Sequence, residues 1–401
     1  MIHMQISSDD FEFLVGDYQL LSDIQSCPAL PMFAERVVDF LADLSKKLLT
    51  DKNNKAYVDV MSYAYWIRRA SINEVKLKHT DYNMRLGRGV AFHVAPSNVP
   101  VNFAVSMTSS LLAGNATIIR VSNKHFTQVD IICRAMNELL EGTYADMKGR
   151  ICIFRYEHSE EITQWLSDMC DVRVIWGGNH TIHDIRKAEL PPRAIELTFA
   201  DRHSIAVIQA EEYLKADERE IAKGFYTDTY YTDQNACSSP RLVVWLGSDE
   251  SKKKAREHFW EALDEIVERD YDMKPIQAVD KFNAFCRLGM AKAKVRLISD
   301  NNLLMRIEVA ELTADLMDYK MSGGYFFEYC ADNINSVLPV LTKQCQTISY
   351  YGVDKQELKR LVFENGVRGV DRIVPLGQTM GLEFVWDGYK MIEAMARVVY
   401  C

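Results

Sequence analysis

The 401-residue sequence lacks the features that announce several protein classes. No stretch reaches the roughly 18 uninterrupted apolar residues that a membrane span requires, so no span is expected. Basic residues are outnumbered, 47 Lys and Arg against 56 Asp and Glu. A nucleic-acid binder ordinarily carries a basic excess, so nucleic acid is not an expected partner. The nine cysteines, spread from Cys27 to Cys401, include no C-x-x-C pair. Their odd number and spacing argue against a zinc ribbon or a disulfide framework and for a reducing compartment. Met1 to Asp10 lacks a basic region followed by an apolar core, so it does not read as a secretory signal, and a cytoplasmic location is expected. There is no internal repeat and no Pro/Gly-rich linker. Gly-x-x-x-x-Gly-Lys-Ser/Thr, His-Glu-x-x-His and Gly-x-Ser-x-Gly are all absent, and no metal site is expected.

What remains is a soluble globular composition, with 48% hydrophobic and 26% charged residues, long enough for two or three domains. Residues 1–80 read mostly helical: after Pro31, Phe33, Val37, Val38, Leu41, Leu44 and Leu48 recur at helical spacing. From about residue 88 short apolar runs alternate with helical stretches. Gly89–Val94, Ala116–Val121, Ile151–Phe154 and Val172–Trp176 read as strands, with helices at Val101–Ala113, Thr127–Leu140 and Glu160–Met169. This alternation implies parallel βαβ units and a sheet covered on both faces. Further strands are expected at Ala194–Phe199, Ser204–Ile208, Arg241–Leu246, Thr347–Tyr351 and Arg372–Leu376. Lys252 to Lys254 reads as a solvated face, and Trp386 to Val399 as a closing amphipathic helix.

Few segments carry chemistry on their own. Gly177-Gly178 follows a strand and precedes a helix, where backbone N–H groups could face a phosphate or simply make a turn. His180 and His183 sit three apart with no third ligand nearby, a surface pattern. Cys237 stands in the polar segment Asp233-Gln-Asn-Ala-Cys-Ser-Ser-Pro240, unlike Cys133 and Cys152, which lie inside apolar runs. Small polar neighbours suit a reactive thiol, and equally a plain loop cysteine. Asn98, in a loop stiffened by Pro96 and Pro100, is either an oxyanion donor or a turn residue bonded to its own backbone.

Four segments together resemble the aldehyde dehydrogenase superfamily, and more closely its LuxC-type acyl-CoA reductase branch. They are Val94-Ala-Pro-Ser-Asn-Val-Pro-Val-Asn-Phe103, Leu111-Leu-Ala-Gly-Asn-Ala-Thr-Ile-Ile-Arg-Val-Ser-Asn-Lys124, the Cys237 segment, and Gly369-Val-Asp-Arg-Ile-Val-Pro-Leu-Gly377 with Trp386-Asp-Gly-Tyr389. They occur in the family's order and cover the chain from about residue 88 onward. The resemblance implies an α/β fold: a Rossmann-like parallel-sheet cofactor domain and an α/β catalytic domain. The expected division is 1–210 for the helical N-terminal region with the NAD(P)-binding domain, 211–380 for the domain of the nucleophile, and 381–401 for a C-terminal segment packing on the cofactor domain or at an oligomer interface.

By the same resemblance Cys237 matches the nucleophile. Asn98 and the Cys237 N–H match the oxyanion donors. Pro96, Ser97, Arg120, Ser122, Asn123, Lys124, Gly177 and Gly178 match the cofactor-binding segments. Asn123 falls where NAD-preferring members often carry a Glu. Loss of that acid, with Lys124 beside it, favours NADPH, with NADH as the alternative. Glu196 lies near the water-activating Glu of hydrolytic members, but their Glu-Leu-Gly-Gly is only half present, so a structural strand residue is an equal reading. The chain is shorter than typical members, which implies a reduced oligomerisation arm on a homo-oligomer. The implied activity is NADPH-dependent reduction of an acyl thioester, carried on CoA or on a partner of the acyl-protein synthetase type, to an aldehyde through acyl-Cys237. The rivals are an aldehyde dehydrogenase working in the oxidising direction and a non-catalytic partner subunit of an acyl-protein synthetase.

Overall fold

A computed structural model describes residues 6–292 and 294–400. Two units emerge: the first closes at Ala200, the second runs from Asp201 to Gly381, and the chain returns to the first from Leu382.

In the first unit, β1 (Glu12–Val15), β2 (Arg85–Gly87), β3 (Val90–Val94), β4 (Ala116–Arg120), β5 (Ile151–Arg155), β6 (Val172–Trp176) and β7 (Ile195–Phe199) are the strands. Six of them form one sheet in the order β1-β5-β4-β3-β6-β7. Only β1 runs antiparallel to its neighbour. The inner strands β3, β4, β5 and β6 bury both faces, which is why their sequences are apolar runs. On β3, Val90, Phe92 and Val94 enter one core while Ala91 enters the other. Helices Asn102–Ala113 and Thr127–Glu141 pack on the face that Ala91 joins, with the N-terminal helix Glu35–Thr50. Gly114 ends the first of these in the left-handed region at φ 97°. A Cβ there would fall 2.0 Å from the Leu30 carbonyl oxygen, so only glycine fits.

The order matters for the site. β4 lies on one side of β3 and β6 on the other, so connections from β3 and β6 leave in opposite directions at the carboxyl edge. That switch point opens a crevice between neighbouring loops.

The second unit holds β8 (His203–Gln209), β9 (Pro240–Leu246), β10 (Val295–Asp300), β11 (Met305–Val309), β12 (Tyr325–Cys330), β13 (Cys345–Tyr351) and β14 (Arg372–Pro375). Their order is β10-β11-β12-β9-β8-β13-β14. All pairs are parallel except β10 with β11. Alternation again splits two cores: Leu242, Val244 and Leu246 face one, Val243 and Trp245 the other. The expected boundary near 210 falls after β8, whose residues pair with β9 and β13 in the second sheet.

Two sequence expectations are corrected. The C-terminal stretch is not one amphipathic helix. β15 (Val385–Trp386) and β16 (Tyr389–Lys390) form a hairpin, a five-residue helix spans Met391–Met395, and β17 (Ala396–Val398) pairs with β2. Asp387 at φ 47° and Gly388 at φ 77° make the tight turn, which an Asp-Gly pair favours over helix. Nor is the lysine run wholly solvated: Lys252 is buried, and its ammonium donates to the Ala331 carbonyl at 3.3 Å.

Candidate active site

Cys237 lies in the second unit, in the turn ahead of β9, at the amino edge of the sheet. The turn is tightly specified. Asp233 and Gln234 both take left-handed backbone, at φ 57° and 56°. Such consecutive positions are costly for residues other than glycine and need support from their surroundings. Gln234 supplies it: its buried amide donates to the carbonyls of Pro240 (3.0 Å) and Tyr325 (3.2 Å) and accepts from the N–H groups of Gly324 (3.0 Å) and Tyr325 (3.2 Å). The Ser204 hydroxyl holds the Cys237 carbonyl at 2.8 Å.

Cys237 is partly exposed, and Gln346 and Arg241 are among the side chains beside its sulfur. The Gln346 amide donates to Sγ at 3.1 Å. Arg241 is buried, and its guanidinium donates to the Met321 carbonyl. Burial pulls that guanidinium down to about 10, while the neighbouring Cys237 charge acts in the opposite direction. A cation coupled to the sulfur favours thiolate, the reactive form. Burial pushes the thiols of Cys152, Cys170 and Cys345 each up to about 12.

The remaining predicted site residues, apart from Glu196, occupy the carboxyl edge of the first sheet. The turn of Pro96, Ser97 and Asn98 follows β3, and Ser97 and Asn98 are exposed. Ser122, Asn123 and Lys124 follow β4; Gly177 and Gly178 follow β6. Under this edge the structure is tied together by Ser106, whose hydroxyl bonds His93 Nδ1 (2.7 Å) and accepts from the Trp176 indole N–H (3.0 Å). Arg120, at the end of β4, lays its guanidinium 4.8 Å from the Tyr156 ring centre. Its buried Nε has no hydrogen-bond partner among the described residues. A guanidinium with an unpaired buried Nε at a switch-point crevice fits an anionic dinucleotide. Gly177 is already tight, since a Cβ there would meet Thr181 at 3.1 Å. One contact alters the electrostatic reading: the Asn123 amide donates to Glu157 at 3.2 Å, so an acid stands beside that position after all.

Glu196 is placed differently. On β7, one carboxylate oxygen accepts from Arg173 at 2.9 and 2.6 Å, and the other from Arg186 at 2.6 Å. Both oxygens of the carboxylate are thus held in ion pairs, the arrangement of a structural strand residue. His180 pairs with Asp184 at 2.9 Å on the surface. No cluster of three potential metal ligands occurs among the described residues.

Reading along the chain did not single out Gln346, Arg241 or Ser204. Arg241 and Ser204 sit at strand starts that read as ordinary sheet, and Gln346 is one polar residue in an otherwise strand-like run.

The acyl-CoA reductase (LuxC) family model matches residues 17–398. The long-chain acyl-protein thioester reductase of Vibrio harveyi is 25% identical over 297 residues, covering 72% of this chain and 59% of that protein. The same-named protein of Photorhabdus laumondii is 22% identical over 296 residues, covering 72% and 58%; that of Aliivibrio fischeri is 27% identical over 165 residues, covering 40% and 33%. The matched region thus spans less than two thirds of these relatives. Among solved structures, a 1-pyrroline-5-carboxylate dehydrogenase from Thermus with bound NAD superposes with a TM-score of 0.64 at 14% identity, covering 94% of this chain and 79% of that one. An NAD-dependent benzaldehyde dehydrogenase from Corynebacterium glutamicum gives 0.63 at 13%, covering 94% and 86%. The fold is that of the aldehyde dehydrogenases.

Proposed function

The chain belongs to the acyl-CoA reductase (LuxC) family, and from that premise we propose that it reduces an acyl thioester to an aldehyde through an acyl-Cys237 intermediate, with NADPH as reductant. The observation that carries this reading is the setting of Cys237: partly exposed, with an amide donor at 3.1 Å and a buried guanidinium coupled to it.

The Cys237 thiolate attacks the thioester carbonyl carbon. A new C–S bond forms, the donor's C–S bond breaks, and the donor leaves as its own thiolate. The reading assigns the Asn98 side-chain amide and the Cys237 backbone N–H to the developing oxyanion. The loops bearing Pro96, Ser97, Ser122, Asn123, Lys124, Gly177 and Gly178, with Arg120, are assigned to the cofactor. When bound, the reduced nicotinamide supplies the hydride that reduces the acyl carbon. Cys237 is then the leaving group of the resulting thiohemiacetal: its C–S bond breaks, the aldehyde departs and the thiolate returns.

The named relatives act on long-chain acyl-protein thioesters. We carry that donor to this chain as a partner enzyme of the acyl-protein synthetase type, with acyl-CoA serving the same chemistry. An oxidising aldehyde dehydrogenase needs a free general base for water, and the double ion pair of Glu196 disfavours it in that role.

Incubation with a long-chain acyl-CoA without cofactor tests the reading. Mass spectrometry is expected to find the acyl group on the Cys237 peptide, and added NADPH to remove it as aldehyde. NADPH consumption with Cys237 never labelled would overturn it.

A further inference from the structure

We propose that Gln346 is a catalytic residue, whose side-chain amide is the hydrogen-bond donor that holds and stabilises the Cys237 sulfur as thiolate. The inference rests on the reading of Cys237 as nucleophile and adds a group to its machinery.

The sheet itself is bent to deliver this amide. On β13, Cys345 faces His203 and Thr347 faces Ser204, so Gln346 is an extra residue between two consecutive partners on β8. The break is visible in the packing: Cys345 and Ile348, three apart, enter the same core, where regular alternation would put them on opposite faces. On the other side of β8, Ser204 faces Pro240 and Ile205 faces Leu242, so Arg241 is likewise the extra residue. Bulges re-aim side chains, and they gather beside active sites. Here both flank Ser204, whose hydroxyl holds the Cys237 carbonyl. The two irregularities thus carry Gln346, which donates to the sulfur, and Arg241, whose charge acts on it.

The amide is also oriented. Gln346 is fully buried, so its polar atoms need partners. Its Oε1 accepts from the Thr347 hydroxyl at 3.2 Å, and its NH2 donates to Sγ at 3.1 Å. An N–H donor stabilises a thiolate more than a thiol, so it lowers the pH at which the sulfur becomes nucleophilic. The charged and titratable groups around this end of the sheet are Arg241, His203, Arg202 and Lys320. Burial holds His203 down to about 4, so its ring is neutral near pH 7. Arg202 is committed to Asp371 and to the carbonyls of Cys345 and Gly369. Burial lowers Lys320, and Arg241 beside it lowers it further.

The test is the pH dependence of Cys237 alkylation by iodoacetamide in the full-length protein, followed on the Cys237 peptide by mass spectrometry. In Gln346→Met the midpoint is expected to rise by about one pH unit, making alkylation about 10-fold slower near neutrality. In Thr347→Val, which keeps the shape but removes the hydroxyl bonded to Oε1, a smaller rise is expected. An unchanged or lowered midpoint in folded Gln346→Met overturns the proposal; should that variant not fold, the same result in Thr347→Val does so. Alkylation needs neither acyl donor nor cofactor. Failure of the acyl-reductase reading would leave this result standing, and the reverse also holds.

Discussion

The side-chain amide of Asn123 donates to the carboxylate of Glu157 at 3.2 Å. Position 123 lacks the acid that NAD-preferring relatives often carry, yet Glu157, from the loop after β5, brings one to the same place. On the proposed cofactor reading Lys124 would attract a 2′-phosphate and Glu157 would repel it. Glu157→Gln is therefore expected to raise the ratio of kcat/KM for NADPH over NADH about 3- to 10-fold, the effect of one nearby surface charge. The gain should shrink as salt is added. An unchanged ratio would remove Glu157 from cofactor discrimination.

Glu196 carries a different prediction. Its partner Arg173 is 3% exposed, and Arg186 bonds the other oxygen. Glu196→Gln leaves Arg173 buried without its counter-charge, at a cost of about 3–5 kcal/mol of stability. Turnover per folded molecule should stay within about twofold of wild type. A base for water would show the opposite: an unchanged Tm and a stalled acyl-enzyme.

Asp228 sets a pH dependence of stability. It is buried on the helix Glu218–Thr229 and accepts from the N–H groups of Gly377 (2.6 Å) and Thr379 (2.9 Å). That loop continues to Met380, whose sulfur accepts from Ser238, next to Cys237. Burial pushes the Asp228 carboxyl up to about 6, against the pull of those N–H groups and Arg372. A raised carboxyl binds its proton more tightly in the folded state. Its contribution is full below pH 4 and is lost as pH rises through 6, a change of about 3 kcal/mol. Asp228→Asn has no such titration, so the stability of wild type relative to it should fall by about that amount between pH 4 and 7 in urea unfolding. Parallel curves would contradict this. His93 and His203, held low by burial, act in the opposite sense and cancel in the difference.

The inner strands of the first sheet were legible because each is an apolar run buried on both faces and closed by a turn residue, as Val90–Val94 is by Pro96; β1 was not, because Glu12–Val15 is short and largely unburied. The Cys237 turn was legible as an exception, a small polar stretch where a core cysteine would sit in apolar company. The Asp387-Gly388 hairpin was missed because its flanks, Trp386 and Tyr389 to Met395, also satisfy a helical spacing; the φ values of two residues decided it. Gln346 and Arg241 were invisible for a deeper reason. A bulge is a property of pairing between strands, and Cys345–Tyr351 read alone looks like an ordinary strand. The Glu196 clamp depends on Arg173, 23 residues away, and on strand pairing that places them opposite each other.

The central claim is that Cys237 carries the acyl group. Stopped-flow mixing of the full-length protein with a long-chain acyl-CoA and NADPH tests it most directly. Wild type should consume NADPH and release aldehyde, and Cys237→Ala should do neither above background while still binding NADPH. A Cys237→Ala protein that consumed NADPH at the wild-type rate would contradict the account.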